Sequence, residues 1–117
     1  MKAHDIAVAL QGAGDLDFQQ LSTFNRGSVG VFRTSKGMSP WERHPDDDEL
    51  LYVIEGEVEI IVLTENGQVH TNVPAGSVFI VPSGHWHRHN VRDRLVEMYV
   101  TPGRTEHSNA DDPRAAV

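Results

Sequence analysis

A chain of 117 residues has room for one domain, and with 38% apolar residues it reads as globular rather than disordered. Ten Lys and Arg against seventeen Asp and Glu leave a formal net charge of −7, which argues against nucleic acid or an anionic membrane as partner, since both demand cationic patches. The absence of cysteine excludes disulfides, iron–sulfur clusters, thiolate zinc sites and thiol nucleophiles.

From the N-terminus, Met1 to Asp5 lacks the apolar core of a signal peptide. No apolar run approaches bilayer length; Val78 to Val81 is typical. Cytoplasmic residence is the expectation by elimination. Residues 1–17 form an N-terminal arm, with a short helix predicted after Asp5 on Ile6, Ala7, Val8 and Leu10 and a stop at Gly12-Ala13-Gly14-Asp15. From Phe18 the pattern changes to short β-branched and aromatic segments broken by Gly, Pro and Asn. Strands are predicted at Phe18–Thr23, Ser28–Thr34, Ser39–His44, Glu49–Ile54, Val58–Leu63, Val69–Asn72, Ser77–Val81, Trp86–Val91 and Leu95–Thr101. Asn66-Gly67 signals a hairpin, because both residues tolerate the positive φ of a type I′ turn.

Strands at this spacing make an all-β sandwich or barrel over residues 18–104. Two strands are apolar on both faces: Leu50, Tyr52 and Ile54 back Leu51 and Val53, and Val78 and Ile80 back Phe79 and Val81. One face fills the barrel and the other needs a cover, so a homodimer is expected. The segment 105–117 reads as a polar, mobile tail.

Two segments carry the chemistry. Glu42 and His44 share one face of a strand, because residues i and i+2 of a strand lie roughly 7 Å apart on the same side. Glu49 opens the next strand, with Leu51 and Val53 on its face, and His85, His87 and His89 alternate with Trp86, Arg88 and Asn90. Ionisable groups converging inside a barrel would carry a heavy desolvation cost, which a divalent cation would relieve.

These segments resemble the motifs of the cupins. The first cupin motif, Gly-x5-His-x-His-x(3–4)-Glu-x6-Gly, is matched in its second half by His44-x4-Glu49-x6-Gly56. The second, Gly-x5-Pro-x-Gly-x2-His-x3-Asn, is matched by Gly76-x5-Pro82-x-Gly84-x2-His87. Three departures stand out: Glu42 replaces the first histidine, Gly37 lies one place closer than the leading glycine, and Asn90 comes one place early. The resemblance implies that the barrel, behind the short N-terminal helix read above, is a jelly roll with a metal held by Glu42, His44, Glu49 and His87. Two imidazoles and two carboxylates would balance a dication, and the oxygen ligands favour Fe(II), Mn, Ni or Zn over Cu(I). For Glu42, a salt bridge to Arg43 or Arg88 competes with ligation. His89 shares the face of His87 and is the candidate for catalytic proton transfer; an ordinary, internally satisfied histidine is its competing reading.

Other features carry blander readings. Asp46-Asp47-Asp48 reads as a solvated loop, Trp41 and Trp86 as packing, Met38 and Pro40 as lining of the pocket mouth, and His85 as a rim residue. His4, His70 and His107 receive no role. No Gly-x-Ser-x-Gly elbow or phosphate-binding Gly-x4-Gly-Lys loop is present. The expectation is a metalloenzyme acting on a small oxygenated organic molecule, of dioxygenase, isomerase or epimerase, or lyase type. The alternatives are a non-catalytic cupin that binds or senses a small molecule, and a dimer whose metal site is vestigial.

Overall fold

A computed structural model describes residues 1–114; residues 115–117 of the expected tail lie outside the described residues. The chain starts with a single helical turn, α1 (Ile6–Ala9), capped where the Asp5 carboxylate accepts a hydrogen bond from the Val8 amide. Leu10 and Ala13 behind it are buried. The Ala13 carbonyl accepts two hydrogen bonds from the Arg33 guanidinium, so the arm is fastened to the sheet through one long side chain.

The strands are β1 (Gln19–Phe24), β2 (Gly27–Met38), β3 (Trp41–Arg43), β4 (Glu49–Thr64), β5 (Gly67–Pro74), β6 (Val78–Val81), β7 (His87–Thr101) and β8 (Glu106–Ser108). They form one eight-stranded antiparallel sheet that curls into the jelly-roll barrel. β7 is its hub: β2 pairs with it from Ser28↔Thr101 to Met38↔Asn90, and β4 from Leu50↔Val100 to Val62↔His87. The curl encloses a core of Phe32, Leu51, Val53, Val58, Ile60, Val62, Val73, Val81, Val91 and Leu95. A second cluster joins Trp41, Ile61, Leu63 and Trp86, with Arg88 stacked over Trp41 at 4.5 Å and Arg43 over Trp86 at 4.7 Å. Among the described residues no helix is long and apolar enough to cross a membrane.

Four expected strands fuse into two. Glu49–Ile54 and Val58–Leu63 are both parts of β4, and Trp86–Val91 and Leu95–Thr101 give way to β7. The apparent break in β4 is a bulge, where the register against β7 shifts between Val53 and Glu55 and again between Gly56 and Glu59. It reverses the inward parity: Glu49, Leu51 and Val53 are buried before it, and Val58, Ile60 and Val62 after it. The Gly76 amide pins the bulge by donating to the Val53 carbonyl at 2.8 Å.

The β4–β5 hairpin forms where expected, but its turn differs. Thr64 pairs with Gly67, Glu65 and Asn66 make the turn, and only Gly67 takes positive φ (110°). This is therefore not a type I′ turn. Residues 106–108, read from sequence as tail, form β8 and pair with β3. The Arg43 guanidinium donates to both Glu106 carboxylate oxygens, each at 3.1 Å, an anchor that local polarity does not reveal.

Gly56 is the backbone position least open to change. Its φ is +76°, and a Cβ there would lie 2.0 Å from the Arg94 carbonyl oxygen. Gly56→Ala is expected to lower unfolding stability by at least about 2 kcal/mol. Gly14→Ala, in open space, should stay within about 0.5 kcal/mol of the parent. Urea denaturation of both variants checks the contrast.

Candidate metal centre

Three elements bring buried ionisable groups to one point. His44 follows β3, Glu49 opens β4 and His87 opens β7, and the first and last are tied together where the Gly84 amide donates to the His44 carbonyl at 2.8 Å. All three side chains are buried. The Nε2 atoms of His44 and His87 each lie 3.2 Å from the same Glu49 oxygen, Oε1. The donor atoms of the three residues all fall within 4.8 Å of one another.

The outer faces of these groups are already engaged. His87 Nδ1 donates to the His85 carbonyl at 3.4 Å, and His44 Nδ1 lies 3.0 Å from the Thr105 hydroxyl. The Thr101 hydroxyl donates to Glu49 Oε2. The inward Nε2 atoms are different: although each is close to Oε1, neither is aligned for a hydrogen bond, and both lack a partner. A proton on Nδ1 of neutral His87 leaves an Nε2 lone pair facing a carboxylate, a repulsive contact unless a positive charge comes between.

Protonation is one source of that charge. Burial opposes a charged His44, but Glu49 more than offsets this and raises its pKa. Burial likewise opposes ionised Glu49, yet the two imidazoles hold its carboxyl well below the usual carboxylate range. A divalent cation is the other source. Two imidazole nitrogens and a carboxylate oxygen, held from outside by Thr105, the His85 carbonyl and Thr101, form a donor set that suits it.

Glu42 pairs in register with His87 but stands outside the three-residue cluster. Neither arginine considered for it is its partner: Arg43 grips Glu106, and Arg88 donates to the Ser39 carbonyl. The His107 ring lies beside it instead, with Nε2 3.9 Å from Oε2. His107, given no role from sequence, is brought there by the pairing of β8 with β3.

His89 faces inward two residues beyond His87. Its Nε2 donates to Glu97 Oε1 at 3.0 Å and lies 2.9 Å from Oε2, with Glu97 wholly buried. Burial pushes the imidazole pKa down, but the Glu97 carboxylate outweighs it and raises the value to about 9. His89 is thus an internally paired histidine on the site's wall. Glu97 escaped the sequence reading because β7 was divided near Val91, although positions 87, 89 and 97 share one parity.

A cavity of about 210 Å³ opens beside the cluster, with Glu49 and His89 in its wall. Glu42, Thr105 and His107 line one part of it, and Phe18, Phe32 and Tyr99 another. Met38 lies instead at a separate cavity on the other side of His89. The three aspartates are on the surface, with Asp47 held by Arg26 and Asp46 by Arg104.

The sequence pattern of the cupins matches residues 5–101, and the chain belongs to the cupin family. It is 31% identical over 123 residues to germin-like protein subfamily T member 2 of Arabidopsis thaliana, covering 94% of this chain and 56% of that protein. The chain thus spans about half the length of the curated relatives it matches. Among solved structures, a conserved protein with a double-stranded β-helix domain from Klebsiella pneumoniae superposes with TM-score 0.75 at 18% identity, covering 94% of this chain and 99% of that one. A hydroquinone 1,2-dioxygenase in complex with Cd2+ and 4-hydroxybenzonitrile superposes with TM-score 0.71 at 19% identity, covering 85% and 71%. These two structural likenesses establish the fold.

Thr105→Val keeps the side chain's shape and removes the hydroxyl that meets His44. It is expected to weaken zinc affinity roughly tenfold, measured by competition against a chromophoric chelator. The His89–Glu97 pair gives a separate, pH-dependent signature in chelator-treated protein. Its folded pKa exceeds the unfolded value of about 6.5, so its stabilisation is complete below that pH and is lost as pH rises through about 9. Urea midpoints followed from neutral to alkaline pH should fall more steeply for the parent than for Glu97→Gln.

Proposed function

We propose that this cupin is a divalent-metal-dependent enzyme acting on a small oxygenated organic molecule. The observation that carries this reading is the pair of buried, partnerless Nε2 atoms facing one Glu49 oxygen. His44, Glu49 and His87 would hold Fe, Mn, Ni or Zn. A bound dication would supply Lewis-acid polarisation of a ligand oxygen. His44 and His87 present nitrogen lone pairs, and Glu49 balances charge. Thr105 and the His85 carbonyl fix the ring orientations. Glu42 is assigned to the cavity wall rather than the ligand set, because His107 is its neighbour there. His89 is the proton-holding group beside the cavity, with Glu97 setting its orientation and charge. The dioxygenase of like fold, solved with Cd2+ and a small aromatic molecule, is compatible with this chemistry.

Untagged protein purified without chelator should carry near-stoichiometric metal by elemental mass spectrometry, and His87→Ala should carry less than about a tenth of it. Metal-free parent protein after reconstitution would sink the enzyme reading and leave a small-molecule-binding cupin.

We also propose a homodimer. Val78 and Ile80 of β6 are 56% and 48% exposed, and they pair with Tyr52 and Leu50, whose register continues to Met98 and Val100 of β7. This makes an apolar sheet face continuous across three strands. Sedimentation velocity should give a dimer that Val78→Glu/Ile80→Glu converts to monomer.

A further inference from the structure

We infer that the cavity beside the metal centre takes a single hydroxylated aromatic ring, of the phenol class. This deepens the functional reading above and rests on it for the cavity being a ligand site.

One wall is built for a flat ring. The Phe18 and Phe32 rings meet edge-to-face with centroids 4.8 Å apart, and Phe18 and Tyr99 do so at 5.8 Å with planes 86° apart. All three line the cavity. Phe18 remains 50% exposed although it touches two buried or half-buried rings, so it offers free aromatic surface next to the cavity. The wall has also displaced its neighbour across the strands: a Cβ on Gly30 would fall 2.3 Å from the Tyr99 hydroxyl oxygen. Only a residue without a side chain leaves the phenol ring its place. Offset and edge-to-face contacts between rings stabilise a bound aromatic beyond what its apolar area provides.

Size narrows the choice. The cavity is about 210 Å³. An apolar cavity of about 150 Å³ holds benzene, while sites for drug-sized molecules start at about 300 Å³. One ring with one or two small substituents is the scale that fits.

The polar wall selects the substituent. The Glu42 carboxylate is largely buried, its side chain 20% exposed, and among the described residues it takes no hydrogen bond; His107 Nε2 is 3.9 Å away. An acceptor with spare capacity favours a ligand that donates a hydrogen bond. A hydroxyl on the ring supplies that donor.

The test titrates phenol, cyclohexanol and fluorobenzene into zinc-reconstituted and chelator-treated protein, with binding followed by NMR chemical shifts. Cyclohexanol keeps the hydroxyl and loses the flat ring; fluorobenzene keeps the ring and loses the donor. Phenol is expected to bind about fivefold tighter than cyclohexanol. Phe18→Leu, which retains apolar bulk at a half-exposed position, should reduce that preference to within about twofold without changing zinc content. In chelator-treated protein phenol should also exceed fluorobenzene, and Glu42→Leu should abolish that difference. Equal binding of phenol and cyclohexanol, a ring preference that survives Phe18→Leu, or no phenol binding to folded, zinc-loaded protein would each overturn the inference and leave the metal reading standing. Phenol selectivity in protein that takes up no metal would do the reverse.

Discussion

A carboxylate buried between two imidazoles is the constraint on which the rest of this molecule depends. Glu49, His44 and His87 occupy barrel volume that Val, Leu and Ile fill elsewhere, and desolvating three ionisable groups is tolerable only when their charges compensate. The groups around them are arranged accordingly. Thr105 meets the outer nitrogen of His44, the His85 carbonyl that of His87, and Thr101 the second oxygen of Glu49. What remains, two nitrogens aimed at one oxygen, is the part that a proton or a metal ion has to complete.

The sheet delivers these groups through its hub. β7 carries His87, His89, Glu97, Tyr99 and Thr101 on one parity, so a single long strand supplies one imidazole of the buried cluster, an internal acid–base pair, an aromatic wall and a support for Glu49. β4 crosses beside it, and the bulge at Gly56 lets both halves of β4 turn apolar residues inward despite their opposite parity. Without that extra residue, one half would present Leu50 and Tyr52 to the core and Glu49 to solvent. The glycine thus belongs to the geometry of the site although it lies far along the strand from Glu49.

The two ends of the chain finish the cavity. Phe18 precedes β1, and Thr105 and His107 come from the segment that pairs with β3. Both lie outside the motif residues that hold the centre. Phe18 and His107 can change the shape and polarity of the wall without touching the charged cluster, whereas Thr105 ties the wall to it through the His44 ring. The clamp between Arg43 and Glu106, and the two bonds from Arg33 to the Ala13 carbonyl, fasten these ends to the sheet.

The all-β character, the helical turn after Asp5, the β4–β5 hairpin and the inward faces carrying Glu49 and His87 were legible in the residues themselves, because alternation and turn chemistry are local properties; His44, expected on the strand of Glu42, instead follows β3. Local signals also misled where Gly and polar residues interrupted a pattern: the interruptions at Gly56 and near Asp93 read as strand ends, but both are bulges, the second where the register of β7 shifts against β2 and β4. The partner of Glu42, the buried Glu97 beneath His89, the aromatic wall and the role of His107 came only with the tertiary structure. The contacts of Glu42 and the aromatic wall join segments distant in the chain, up to the 81 positions between Phe18 and Tyr99, and no periodicity within a segment encodes which distant strand will lie beside it; His89 and Glu97 are only eight positions apart, and meet across the irregular register of β7 between them. Local alternation limits which side chains can face the barrel interior; the closure of the sheet decides which of them meet.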